Sequence, residues 1–348
     1  MKTATPSMAR TINDRLALDL LLERGPLTAP QLRALTGLSR PTVSDLIERL
    51  TGNGLIEVTG ESGAERRGPN ARLYGLVAGR AHVAGVDLRR SAVHVTVADL
   101  AGRPVGAASR ALTAELTGEL VDVVAAAVGE AAAGRTLDTV VVGAPGLVDP
   151  RTAELVSGNE VPGWRPGLIS SLSRRLGAPV LLENEVNLAA VAELRMGAAQ
   201  GSEDFVLLWL GDATGAAVVL GGRLRRGASG GAGEIGFLDV GGTDFCHLVS
   251  AEAVQGLDRA ELATRIARGA FAFVTILDPG LIVLGGELGQ HGGDALAEQV
   301  AEHLRSSSPA PTEIRATTVE GGAVLHGAVL TALDRARDNV FSAVTPGR

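Results

Sequence analysis

Residues 178–190 read APVLLENEVNLAA. A short apolar run stops at Glu183, and a helix-forming stretch, EVNLAAVAELRMGAA, begins two residues later at Glu185. A strand that is apolar at consecutive positions is buried on both faces, so it belongs to a sheet flanked by helices. The junction holds two carboxylates and two amides, Glu183, Asn184, Glu185 and Asn187, at the strand end where open α/β sheets keep their ligands. Glu185 has three readings at this point: a catalytic base, a ligand hook, or a carboxylate suited to a helix N-terminus.

Two series of elements extend outward from this junction. AHVAGVDL, SAVHVTVADL and RPVGAASRAL form a meander, followed by a helix near Gly118–Ala133, the strand TVVVGAPG, a helix near Leu168–Leu176 and APVLL. FVLLWL, GAAVVLGG and a short RLRRG strand then form a second meander, followed by a long helix, LIVLGG, a helix over 291–304, the strand TEIRATTV and a closing helix from Gly322 to about Phe341. A meander followed by alternating helices and strands, occurring twice, predicts an α/β body of two similar lobes with a ligand cleft between them. The lobes are expected at 79–185 with the closing helix 322–341, and at 186–321.

The first 78 residues have a different character. A leucine-rich helix ends at Gly25-Pro26, Thr28 with Gln31 makes a capping box, and Ser39 caps a helix whose first turn holds Pro41. Thr36-Gly37-Leu38 is a turn of helix-turn-helix length. Val43, Leu46, Ile47 and Leu50 share one face of the second helix, leaving Arg40, Pro41, Ser44, Asp45 and Glu48 outside. LIEVT and ARLYGL flank a charged tip as a hairpin wing. The expected DNA contacts are Ser39, Arg40, Pro41, Thr42, Ser44 and Arg49 on the helix and Arg66, Arg67 and Arg72 on the wing. Net charge is −7 over 348 residues, but residues 1–78 carry ten Lys and Arg against eight Asp and Glu, a mildly basic head on an acidic body.

Hydrophobic residues make up 45% of the chain and charged residues 20%, as in a globular protein, and no run is long and apolar enough to span a membrane. The single Cys, Cys246, excludes an intrachain disulfide framework and a multi-thiolate metal site. The N-terminus has no export-signal core, so a cytoplasmic location is expected.

Six stretches, VAGVDL with VTVADLAG, GAPGLVD, GNEVPGW, ENEVNLAA, GRLRRGASGGAGEIG and LDPGLIVLGG, resemble in order and spacing the ROK family of repressors and sugar kinases. The resemblance covers nearly the whole chain. It implies a winged helix-turn-helix followed by a two-lobed actin-like, ribonuclease-H-like ATPase fold, and the head matches the family's repressor branch. Where the kinases hold phosphates on a Gly-Gly-Thr loop, this chain has Asp87-Leu88-Arg89-Arg90-Ser91; where their second loop is Gly-Thr-Gly-rich, it has Gly211-Asp212-Ala213-Thr214-Gly215. Side chains on the first and an acid on the second oppose a triphosphate. Gly285-Gly286 lies where the family meets adenosine and reads better as a packing turn.

By the same resemblance the sugar-binding positions are Asn159, Asn184, Glu185 in place of an Asp, and Glu234, with Phe237 in place of a His that is also a zinc ligand. Cys246 and the adjacent His247 do not replace the family's Cys-rich zinc segment, and Glu252 is a loose counterpart of its later Glu. Neither a metal nor a cofactor is expected, and no residue is assigned a catalytic role.

The expectation is therefore a regulator, in the family's usual logic a repressor, that binds an inverted-repeat operator in double-stranded DNA as a homodimer or tetramer and senses a sugar-like effector. A body that serves as a scaffold or senses something else is a second reading, and a sugar kinase a remote third. Arg89, Arg90, Arg223, Arg225 and Arg226 are read as a solvated, edge-protecting surface. Trp164 and Trp209 are read as packing residues.

Overall fold

The computed structural model describes residues 6–62, 71–113, 119–157, 161–211, 214–308 and 310–342. The head comprises α1 (Pro6–Arg24), β1 (Leu27–Thr28), α2 (Ala29–Thr36), α3 (Arg40–Gly52), β2 (Ile56–Ser62) and β3 (Ala71–Leu76), with an antiparallel sheet in the order β1-β3-β2. Its helix starts follow from local chemistry. Thr28 and Gln31 form the reciprocal box that satisfies two orphan amides, and the Ser39 hydroxyl accepts the Thr42 N–H. A bulge between Val58 and Gly60 breaks the β2–β3 register and increases the twist of the wing.

The first lobe contains β4 (His82–Leu88), β5 (Ala92–Asp99), β6 (Pro104–Ala111), α4 (Leu120–Ala132), β7 (Thr139–Ala144), the hairpin β8 (Leu147–Asp149) and β9 (Glu154–Ser157), α5 (Leu168–Leu176) and β10 (Val180–Asn184). Next come α6 (Glu185–Met196) and the second lobe: β11 (Phe205–Trp209), β12 (Gly215–Leu220), β13 (Arg223–Arg225), α7 (Phe245–Leu248), α8 (Ala251–Val254), α9 (Arg259–Leu277), β14 (Leu281–Gly285), α10 (Gly286–Ser307) and β15 (Glu313–Ala316). The chain closes on α11 (Ala323–Ser342).

The two large sheets have the same topology. Orders β10-β7-β4-β5-β6 and β13-β12-β11-β14-β15 each join an antiparallel meander to two further parallel strands. The central parallel strands β7 and β14 are buried at every position, which is why they read as unbroken apolar runs.

Helices α6 and α11 lie between the sheets and share one core with Val83 and Val141 on one side and Phe205, Leu207 and Val283 on the other. They cross at Gly327, where a Cβ would lie 1.8 Å from the Leu188 carbonyl oxygen, so only glycine allows this approach. The helix expected over 291–304 is longer, starting at Gly286 and broken at Gly293, which takes a left-handed φ of 55°. At Gly286 (φ +74°) a Cβ would meet the Leu210 backbone at 2.3 Å, a packing turn as expected.

Body and head are joined by α11. Phe341 at its last turn is 3% exposed within the head core, beside Leu18 and Leu50, and Leu100 from the body joins the same core. Arg15 of α1 bonds Asp338 at 2.7 Å and stacks 5.2 Å from the Phe341 ring centroid.

Candidate functional site

On the head, α3 presents Ser39, Arg40, Pro41, Ser44, Asp45 and Glu48 to solvent, while Val43, Leu46, Ile47 and Leu50 are buried. Thr42 is half-buried, and its hydroxyl lies 2.8 Å from that of Ser39, so the two polar groups hold each other at the helix start. Arg72 is exposed on β3, and Arg66 and Arg67 lie outside the described residues.

Arg49 departs from expectation. Its Nε donates to Asp14 Oδ2 at 2.9 Å and its Nη2 to Asp14 Oδ1 at 2.5 Å, and Asp14 is 2% exposed. A guanidinium engaged at both ends by a buried carboxylate locks α3 to α1 and is not available to a phosphate.

In the body, strands β4, β7 and β10 run parallel and end together. Asp87 is in register with Gly143, and Gly143 with Glu183, so two carboxylates flank a glycine at one sheet edge. Asp87 is buried and bonds Arg89 through Nη2 at 2.7 Å. The Arg89 N–H donates to the Ala92 carbonyl at 2.8 Å to close the β4–β5 turn, so that amide is unavailable to a phosphate.

Glu183 organises the junction. Its Oε1 accepts from the Asn187 amide at 2.9 Å and from the Asn184 N–H at 3.1 Å, and its Oε2 accepts from Arg226 Nε at 2.7 Å. The last bond crosses between lobes, because Arg226 follows β13. Arg226 and Arg89 are thus partners of cleft carboxylates, contrary to a solvated edge surface; Arg223 and Arg225 are exposed as expected. The glycine-rich loop after Arg226 also reaches the first lobe, where a Cβ at Gly230 would lie 2.0 Å from the Val148 carbonyl of β8. Glu183 and Arg226 each stood out in the sequence, but their partnership did not, since it spans 43 positions.

Asn184 also takes a role other than the expected one. Its Oδ1 accepts from the Val186 and Asn187 N–H groups, capping α6, and its Nδ2 donates to the Gly146 carbonyl at 3.1 Å. Its carbonyl oxygen is committed to the helix, which removes it as an acceptor for a ligand. Asn187 braces the turn through Glu183, and Asn159 lies outside the described residues, as does Asp212.

Glu185 stands at the first position of α6 with its Oε2 buried and, among the described residues, without a hydrogen-bond partner. Burial pushes its pKa up to about 7; Asp87 and Glu234 repel the anion and add to the rise, against its own amide and Arg90. Glu234 lies on the exposed rim just before the turn Ile235–Phe237, and partial burial of its carboxyl raises its pKa too. Phe237 is 79% exposed, and Cys246 and His247 are exposed. Among the described residues no three His, Cys, Asp or Glu side chains converge to hold a metal ion, and no helix is long and apolar enough to cross a membrane.

Two segments of the chain match known families. Residues 83–253 match the ROK family and residues 11–68 the MarR family. The chain carries a ROK-family domain behind a MarR-type winged helix. Its actin-like body is the ROK sugar-kinase fold. The xylose repressor of Bacillus subtilis is 26% identical over 250 residues, covering 69% of this chain and 63% of that protein. The chain therefore spans less than two thirds of that relative's length. A glucokinase of Streptomyces coelicolor is 29% identical over 154 residues, 44% of this chain and 48% of that enzyme. Among solved structures, a ROK family transcriptional regulator described as a homolog of the Escherichia coli MLC protein superposes with a TM-score of 0.75 over 97% of this chain and 99% of that one, at 17% identity, a likeness of fold.

Proposed function

We propose that this ROK-domain protein is a DNA-binding transcriptional repressor whose body senses a small hydroxylated molecule, a sugar or sugar derivative, in the interlobe cleft. The observation that carries the reading is the continuous path of packing from cleft to head. Helix α6 begins at Glu185, crosses α11 at Gly327, and α11 ends with Phe341 inside the head core. A ligand that favours one arrangement of the lobes, bridged by Glu183 and Arg226, acts on α6 and through α11 on the position of α3. The exposed N-terminal end of α3, with Arg40 and Ser44, supplies the groups that meet base edges and phosphates.

A homodimer sets two such helices about one turn of DNA apart on an inverted repeat. Self-association is supported by an exposed apolar stripe on α1 formed by Met8, Ile12 and Leu16, at 54%, 61% and 40% exposure. A cytoplasmic location accords with such a role.

A kinase reading has the glucokinase relatives behind it. It needs free loop amides opposite Glu185, and the Arg89 amide is already committed. Mobility shift of the purified full-length protein on its own promoter fragment at low salt tests the proposal. Retention of the fragment, altered by sugars of a panel, is expected; failure to retain it, or ATP turnover with a sugar of that panel, refutes it.

A further inference from the structure

The exposed residues of α3 are unevenly placed around its axis. Val43, Leu46, Ile47 and Leu50 face the head core, so at about 100° per residue the line pointing straight away from that core carries Pro41, Asp45 and Glu48. Arg40 and Ser44 lie to one side of this line and Arg49 to the other. A recognition helix seated in the major groove therefore aims a proline and two carboxylates at the base edges. Exposed arginines stand at the flanks, where the phosphates run: Arg40 itself, Arg33 on α2, the helix that crosses the backbone in this motif, and Arg72 on the wing.

Asp45 is exposed, and among the described residues its carboxylate makes no hydrogen bond and no ion pair. Arg49, one turn on, is held by Asp14 and reaches Asp45 only at the backbone carbonyl, 3.5 Å from Nη1. The charge of Asp45 adds to the pull on that guanidinium without pairing with it. A free carboxylate brought into a DNA groove is unfavourable unless a donor meets it. The base edges decide which donor that is. Guanine presents two acceptors, thymine an acceptor and a methyl group, and adenine a donor beside an acceptor that repels the second carboxylate oxygen. Cytosine presents its N4 amine with no acceptor of its own.

We infer that Asp45 is a base-selecting residue of α3, and that each operator half-site holds a cytosine whose N4 amine donates to its carboxylate. The inference rests on the DNA-binding role proposed above and narrows the operator that the head accepts. Pro41, one turn before Asp45, has no side-chain hydrogen-bonding group, so the hydrogen bond on this face falls to Asp45. Arg33, Arg40 and Arg72 are left to hold the phosphates on either side.

Glu48 supplies the contrast. It carries the same charge on the same face, one turn further from the helix start and beyond the N-terminal residues that contact bases. Removing a carboxylate that only repels the duplex tightens binding to every sequence alike. Removing one that reads a base abolishes discrimination at a single position, by roughly 5- to 150-fold. An asparagine in place of the aspartate exchanges the preferred base, because its amide pairs with the donor and acceptor of adenine.

The test is selection of duplexes from a randomised library by the full-length protein at low salt, for the wild type, Asp45→Asn, Asp45→Ala and Glu48→Gln. Mobility shifts on the selected duplex, with the position in question changed to each base in turn, follow. Both positions are exposed, so all four proteins are expected to melt alike. The expected result is a cytosine in each half of the wild-type consensus, lost in Asp45→Ala and replaced by adenine in Asp45→Asn. Glu48→Gln is expected to keep the wild-type consensus and bind every duplex more tightly. An unchanged consensus in both Asp45 variants, or a change confined to Glu48→Gln, overturns the base-reading role and leaves DNA binding standing. So does a change at a position where the wild type selects another base. Retention of no duplex by the wild type overturns the DNA-binding role and this inference together.

Discussion

Replacing Asp14 with alanine tests whether Arg49 belongs to the fold or to the DNA interface. Asp14 is 2% exposed and takes two guanidinium nitrogens, at 2.9 and 2.5 Å. Breaking a buried ion pair by removing one partner costs about 3–5 kcal/mol. About a quarter of the Arg49 side chain remains in water, at 26% exposure, which brings the expectation down to roughly 2–3 kcal/mol.

Helices α1 and α3 are the elements this pair holds together, so the loss is expected there. In native-state hydrogen exchange of the full-length protein, their amides should exchange about 30- to 150-fold faster. Arg49→Ala should do the same, because it leaves the Asp14 carboxylate buried and unpaired, and the double variant should lose less than the two single losses combined. Both single variants should bind promoter DNA more weakly with the slope of affinity against salt unchanged. If Arg49→Ala leaves exchange in α1 and α3 unaltered and lowers that slope by about one, the arginine contacts a phosphate and the structural reading is wrong.

Three further outcomes follow from the same geometry. Arg40→Ala, at an exposed position on α3, should leave the melting temperature unchanged and reduce the salt slope of DNA binding by about one. Phe341→Ala should cost about 3 kcal/mol and uncouple the head from the body, seen as faster exchange in α1 and loss of any effector response in the promoter shift. The carboxyl of Glu185 has its pKa raised from 4.5 to about 7 in the folded protein, so the folded state holds an extra proton between these values. Stability from this group is complete below pH 4.5 and is lost as pH rises towards 7, by about 3 kcal/mol in all; Glu185→Gln should flatten that slope in denaturant titrations at successive pH values.

Much of the architecture can be read along the chain because its causes are local. Capping at Thr28 and Ser39, the apolar face of α3 and the uninterrupted runs of β7 and β14 each depend on residues within a turn or a strand of one another. The kink of α10 at Gly293 and its early start at Gly286 were not legible, since adjacent glycines permit a break without requiring one. At the candidate site, the grouping of acids and amides at 183–187 came from residue order, and Glu234 came from the resemblance to the ROK family. The assignment of each side chain did not. Asn184 serves as a helix cap, Arg226 as an interlobe partner, and Arg49 as a brace between helices.

Residue order by itself determined the winged head, the two like lobes and the place of the cleft, because hydrophobic periodicity and caps act over a few residues. Only the tertiary structure decided which charges are spent on the fold. Arg49 meets Asp14 across 35 positions, Arg226 meets Glu183 across 43, and Arg15 meets Asp338 across 323. Such pairs form where packing brings side chains within about 3 Å. The buried Glu185 oxygen is left without a donor for the same reason: its surroundings are set by strand ends and loops from both lobes, and no neighbour in sequence supplies one.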